Sequence, residues 1–155
     1  ITPGALAIFA DNVGTVQASQ AAPYFTNYVG ISAAQLMALQ TTPVNLLSAP
    51  GAGLFFIVNN MILVMNYGTT QYTAGADLLL QFNNGGGGFS GPIPVANITG
   101  ATSDTVLRME TDVFFNRTNA QCVNSAVSLT AAAGVNYATG DSTFTAIIDY
   151  QVFSA

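Results

Sequence analysis

The chain has 155 residues, of which half are hydrophobic and only 6% are charged, and its formal net charge is −5 at pH 7. An ordinary soluble domain carries about 25% charged residues, and two arginines cannot neutralise a phosphate backbone, so nucleic-acid binding is excluded. Because the chain contains no histidine, the usual base that activates a Ser or Cys nucleophile is missing.

The N-terminal part contains short alternating or apolar runs at residues 5–9, 13–18 and 24–29. Residues 1–10 carry no basic segment, which argues against a retained signal peptide. This apolar and uncharged start predicts an extended arm.

One short helix is predicted near residues 32–40. Ser32 is a helix-capping residue type, and Gln35 lies three positions later, which is the spacing of a capping box. Leu36, Met37 and Leu39 supply an apolar side, and Pro43 ends the segment.

The most apolar run of the chain covers residues 54–65. A membrane-spanning helix needs about 20 such residues, whereas this run has twelve and is interrupted by Asn59 and Asn60. Its β-branched and aromatic residues favour a strand. We therefore expect one long strand, or two joined near Asn59 and Asn60, buried on both faces for much of its length.

Further strands are predicted at residues 44–47, 76–82, 105–109, 112–115, 126–130 and 143–153. Short strands at this density, separated by turn residues, are typical of a sandwich or barrel. The expected fold is a single all-β domain over residues 1–155, a jelly-roll-like β-sandwich of about eight strands with one short helix.

Few residues suggest chemistry. The glycine-rich segment 83–92 lacks the lysine or helix start of a phosphate loop, which favours a hairpin tip or an intersubunit loop. Asp104, Glu110 and Asp112 lie close together in sequence and would suit a cation or an acid–base pair, but Arg108 among them favours an ion pair or a solvated face.

Three weaker signals have a simpler explanation. Cys122 is the only cysteine, so no intrachain disulfide is possible, and a small core residue is the expected role. The N-glycosylation acceptor patterns that start at Asn97 and Asn116 are short enough to arise by chance. The aromatic side chains mostly fall within strand patterns and predict packing. The sequence therefore assigns no catalytic, cofactor-binding or metal-binding residue, and no cofactor.

Three blocks carry a resemblance. They are ISAAQLMALQTTPVNLLSAPGAGLFFIVNN at residues 31–60, YGTTQYTAGADLLLQF at 67–82 and NYATGDSTFTAIIDYQVF at 136–153. Together they resemble a group of small structural proteins of tailed bacteriophages. The shared features include Pro43, the turn at residues 49–53 and the G-D-x-T turn that starts at Gly140. They also include the dipeptides Tyr-Gly at residues 67–68 and Tyr-Thr at residues 72–73.

The resemblance implies a virion component, as a capsid decoration (cement) protein or a small tail or neck protein. The low charge separately indicates a surface covered by other subunits, hence a homo-oligomer. A trimer that bridges major capsid protein subunits on the outer capsid surface is expected, with no nucleic-acid or membrane partner.

Two other classes stay open. A receptor- or carbohydrate-binding module would need an exposed aromatic or carboxylate cluster. A hydrolase without histidine would need a carboxylate pair drawn from Asp104, Glu110, Asp112 and Asp141.

Overall fold

The fold is that of a computed structural model, which describes residues 8–10, 16–18, 22–83, 88–111, 117–132 and 134–155, the first two ranges as backbone only. These residues form nine strands and three short helices. In chain order they are β1 (Ile8–Ala10), β2 (Val16–Ala18), β3 (Phe25–Ile31), α1 (Ala33–Met37), β4 (Val44–Leu47), β5 (Leu54–Asn66), β6 (Leu78–Phe82), α2 (Ala96–Thr99), β7 (Thr105–Met109), α3 (Asn119–Cys122), β8 (Val127–Ala131) and β9 (Thr143–Ser154).

The strands form two main antiparallel sheets and one hairpin. The four-stranded sheet has the order β3-β9-β5-β7, the three-stranded sheet has the order β4-β8-β6, and β1 pairs with β2. Gly88 and Ile93 bridge to the free side of β6, so the segment between them takes the place of a fourth strand. From β3 to β9, the named strands thus alternate between the two sheets. This confirms the predicted all-β, jelly-roll-like sandwich.

The core lies between the two sheets. The four-stranded sheet contributes Phe56, Met61, Leu63, Met65, Phe144 and Ile148, and the three-stranded sheet contributes Leu46, Leu78, Leu80, Phe82, Val127 and Leu129. Cys122, at the end of α3, is also buried, as predicted. Alternate residues of each strand point inward because side chains on a strand have a period of two.

The helix prediction is confirmed for α1 and incomplete for the rest. The Ser32 side chain accepts a hydrogen bond from Gln35 N, and the Gln35 side chain accepts one from Ser32 N, which is the predicted capping box. The helices α2 and α3 were not predicted, because each has only four residues. A capping-box spacing at Thr118 and Gln121 is the sequence signal for α3.

The prediction that β5 is buried on both faces is wrong. Phe56, Val58, Met61, Leu63 and Met65 are buried, whereas the residues between them are exposed or half-buried. The strand is continuous, and its register with β9 shifts between Val58 and Asn60. This β-bulge at Asn59 resets the alternation, so that apolar residues on both sides of it face the core.

The remaining strand predictions differ in outcome. The bounds of β4 and β7 match the expected ranges, and β6, β8 and β9 differ by one or two residues. The strand expected at residues 112–115 lies outside the described residues, as do residues 1–7 of the expected arm. Residues 8–10 of that arm form β1. No helix in the described ranges is both long enough and apolar enough to cross a membrane.

Candidate functional site: the outer face of the four-stranded sheet

The two sheets differ in how their outer sides are covered. Every residue of β8 is buried, and Thr130 Oγ1 lies 3.4 Å from the Leu39 carbonyl, just after α1. On the four-stranded sheet, the cover among the described residues is confined to Ala22, whose carbonyl accepts a hydrogen bond from Gln151 Nε2 on β9. We call its solvent side the outer face, which comprises Thr26, Tyr28, Gly30, Ile57, Asn60, Ile62, Val64, Val106, Arg108, Thr145, Ile147 and Asp149.

A hydrogen-bonded polar row crosses all four strands of the outer face. Thr26 Oγ1 on β3 donates to Asp149 Oδ1 on β9 at 2.6 Å, and Asn60 Nδ2 on β5 donates to Asp149 Oδ2 at 3.3 Å. Arg108 Nε on β7 donates to Asn60 Oδ1 at 3.1 Å. The carboxylate and the guanidinium group are therefore joined through one amide, which fixes their positions on the sheet.

The rest of the outer face is mainly apolar. Tyr28, Ile147 and Ile62 follow one another across β3, β9 and β5, and a parallel row ends in Val64 and Val106. Tyr28 and Val106 are each 67% exposed, although monomeric proteins seldom leave wide apolar patches open to water. An exposed and largely apolar sheet face is a candidate surface for contact with another protein.

Of the predicted site carboxylates, Asp104 and Glu110 are not combined into a catalytic pair. Asp104 and Glu110 lie at opposite ends of β7, and six residues of extended chain span about 20 Å. Two carboxyl groups that hydrolyse a glycoside lie roughly 5–9.5 Å apart. Asp112 lies outside the described residues. Glu110 is exposed, and Arg108 contacts Asn60, which agrees with the solvated-face alternative.

The Asp141 carboxylate binds the loop at Thr69 and Thr70 and so has a structural role. Its carboxylate accepts hydrogen bonds from Thr69 Oγ1 at 2.7 Å, from Thr69 N at 2.8 Å and from Thr70 N at 2.9 Å. These bonds, that of the Thr69 hydroxyl above all, hold the pKa of the Asp141 carboxyl below its usual range. A general acid in a hydrolase needs a raised pKa, so this carboxyl is unsuited to that task.

The same contacts form a loop junction at one end of the sandwich, between residues 67–76 and 137–142. Tyr72 Oη donates to the Ser142 carbonyl at 2.6 Å, and Ser142 Oγ accepts from Gly68 N at 3.1 Å. A Cβ at Gly68 would lie 2.1 Å from Asp141 Oδ1, so only glycine fits there. Burial, together with the charge of Asp141, raises the pKa of Tyr72 to about 12.

A second candidate is a small cavity beside the bulge of β5. It has a volume of about 250 Å³ and is lined by Phe56, Ile57, Val58, Asn59, Phe82, Phe89 and Thr111. The Phe82 and Phe89 rings stack with their centroids 4.6 Å apart. Asn59 Nδ2 is buried there without a hydrogen-bond acceptor. The cavity is apolar and offers one amide donor.

The other predicted signals supply no site. Among the described residues, no group of three Asp, Glu or Cys side chains is placed to hold a metal ion. Asn97 is exposed on α2, whereas Asn116 and the central glycines at 85–87 lie outside the described ranges.

Thr26, Asn60 and Asp149 are not among the residues that the sequence pattern marks as a site. Thr26 and Asp149 are 123 positions apart, and only the strand order brings them together. The available signal was the placement of polar Asn59 and Asn60 inside an otherwise apolar run. No protein-family model matches the chain, and no curated protein or solved structure is significantly similar to it.

Proposed function

We propose that this chain is a non-enzymatic structural protein of a tailed-phage virion, a decoration (cement) protein on the outer capsid surface. It bridges neighbouring subunits of the major capsid protein and acts as a homotrimer. The observation that carries the proposal is the outer face of the four-stranded sheet, which exposes Tyr28, Ile57 and Val106 beside one hydrogen-bonded polar row.

Two further observations support this function. The jelly-roll-like sandwich is an architecture that viral capsid proteins use. The resemblance to phage structural proteins rests on motifs that have a structural use here, since Gly68, Tyr72, Gly140 and Asp141 all belong to the loop junction. The trimer and its place on the capsid come from the resemblance.

The experiment compares particles with and without the protein. Particles that lack it are expected to lose resistance to heat and osmotic shock, because the bridges between capsid subunits are gone, and to keep their attachment to cells. Resistance to heat and osmotic shock is measured as surviving infectivity, and attachment is measured as adsorption to host cells. Unchanged shock resistance together with lost attachment would contradict the cement function.

A matched pair of variants tests the face itself. Val106→Asp places a charge in the outer face, and Val135→Asp makes the same change at a loop position that is 58% exposed. We expect Val106→Asp to lower the affinity for bare capsids at least tenfold, about 1.4 kcal/mol, while Val135→Asp binds like the wild type. Equal binding of both variants, measured by co-sedimentation, would contradict docking through this face.

A receptor- or carbohydrate-binding module at a virion tip is the second candidate function. The observation that favours it is the exposure of Tyr24 (71%), Phe25 (43%) and Tyr28 (67%) on one stretch of chain, since sugar rings stack on exposed aromatic side chains. Binding of the wild type to a glycan array, abolished by Tyr24→Ala or Tyr28→Ala, would support it.

A tail or neck structural protein would use the same outer face on a different partner. Density for the chain in an image reconstruction of the particle separates head from tail.

A further inference from the structure

The free edge of β3 has the features of an acceptor for an added strand. All seven residues of β3 pair with β9 in unbroken register, and no described strand pairs with its other side. Natural sheets protect such edges with charged residues, proline, bulges or a covering element. The sequence FTNYVGI contains no charge and no proline, and its register contains no bulge.

A groove runs beside this edge, where β3 and β4 meet at the side of the sandwich. It has a volume of about 490 Å³, and Val29, Ala34, Ala38, Pro43 and Val44 form most of its lining. The Asn27 side chain on β3 donates to the Leu46 carbonyl on β4 at 2.8 Å, which links the two edge strands. A strand added along β3 would place its inward side chains in this apolar groove while its backbone pairs with the edge.

We propose that the free edge of β3 and this groove bind the N-terminal segment of a second copy of the chain. The 21 residues before Ala22 contain a single charge, Asp11, and include the apolar stretch 1–10. The seven residues that precede β1 would span about 23 Å if fully extended, which is enough for one strand along the seven residues of β3.

The structure also indicates why the acceptor belongs to a neighbour. Gln151 Nε2 on β9 donates to the Ala22 carbonyl at 2.6 Å, so the chain enters β3 from the β9 side, away from the free edge. Donation of a segment from one copy to a different surface of the next is a heterologous contact, and the three-fold symmetry of the proposed trimer closes it into a ring. The inference therefore rests on the self-association in the proposed function, and not on the capsid as partner.

Lysine substitutions on the edge strand test the acceptor. Tyr28 is 67% exposed, and a Cβ at Gly30 meets no atom within 4 Å, so Tyr28→Lys with Gly30→Lys charges the edge without overlap. We expect the mass measured by light scattering to fall threefold, from trimer to monomer. Val106→Lys is the matched control, because Val106 is equally exposed on the opposite edge strand β7, and it should remain trimeric.

Disulfide trapping in the full-length chain identifies the donor. Gly30→Cys is mixed with single variants Ala5→Cys, Ala7→Cys or Ala10→Cys, and the native Cys122 is buried and does not interfere. We expect a disulfide-linked dimer of chains in the mixtures and none in either variant alone. The reason is that neighbouring side chains on paired strands lie about 5 Å apart.

Three outcomes would overturn the inference. The first is a disulfide between two copies of Gly30→Cys alone, which indicates that two β3 strands pair with each other around a two-fold axis. The second is a disulfide that forms only when both cysteines are in the same chain. The third is a lysine variant that remains trimeric. Circular dichroism checks that each variant is folded. Capsid co-sedimentation of Ala34→Lys, which charges the groove and leaves the outer face unchanged, separates failure of this inference from failure of the proposed function. A chain that no longer assembles but still docks through the outer face would leave the proposed function intact.

Discussion

Single side chains in the loop junction determine how the two loops meet. Asp141 binds the backbone and hydroxyl of Thr69 and the backbone of Thr70, and its position requires glycine at 68. The Tyr72 ring lies against Gly140 in the same way, because a Cβ there would lie 2.3 Å from the ring. The G-D-x-T turn is thus used to hold the fold together.

Asp141 should make stability depend on pH. Its pKa is lowered in the folded chain, so its contribution is fully present above the unfolded value, about 3.9, and is lost as the pH falls through the folded value. We expect Asp141→Asn to lower the thermal midpoint at pH 7 and to converge with the wild type as the pH falls below this unfolded value. Glu110→Gln, at an exposed position outside the junction, is the control. A constant gap down to pH 2 would contradict this role.

Among the elements, those with a strong local pattern were predictable and those set by long-range pairing were not. The capping box of α1 and the bounds of β4 and β7 follow from neighbouring residues. The one-sided burial of β5 was missed because its apolar residues run through both faces, and only the strand order shows which face meets the core. The polar row depends on three strand registers at once, so no local pattern contains it.

The bulge in β5 predicts an asymmetry between two deletions. Removing Asn59 leaves Val58 facing inward and Asn60 outward, so the alternation continues and the fold should survive. Removing Ile62 instead turns Leu63 and Met65, which are fully buried, towards the outer face. We expect the first variant to give a cooperative thermal transition and the second to be unfolded or insoluble. Equal behaviour of the two would show that the register is not set at the bulge.

For the whole molecule, nine charged residues on 155 leave little electrostatic protection against association. A single core fills the space between the sheets, whereas among the described residues most of the outer face is exposed or half-buried and no strand pairs with the β3 edge. The stability of such a chain should therefore include a contribution from its neighbours.

The thermal midpoint of the wild type should rise with protein concentration. For a trimer, a hundredfold increase adds about 2 kcal/mol per chain by mass action, which corresponds to roughly 4–8 °C for a chain of this size. The combined Tyr28→Lys and Gly30→Lys variant should show a midpoint independent of concentration. A wild-type thermal midpoint that stays constant over a hundredfold range, from about 1 to about 100 μM, would argue for a monomer.

The position of β9 has a consequence for synthesis. This strand contains residues 143–154 and follows all the other described strands in the chain, yet it lies inside the four-stranded sheet between β3 and β5. Until it emerges, β3 has no strand with which to pair, and β5 lacks its longest partner. Completion of the sheet must therefore wait until β9 has been synthesised, and until then the apolar strands are open to aggregation.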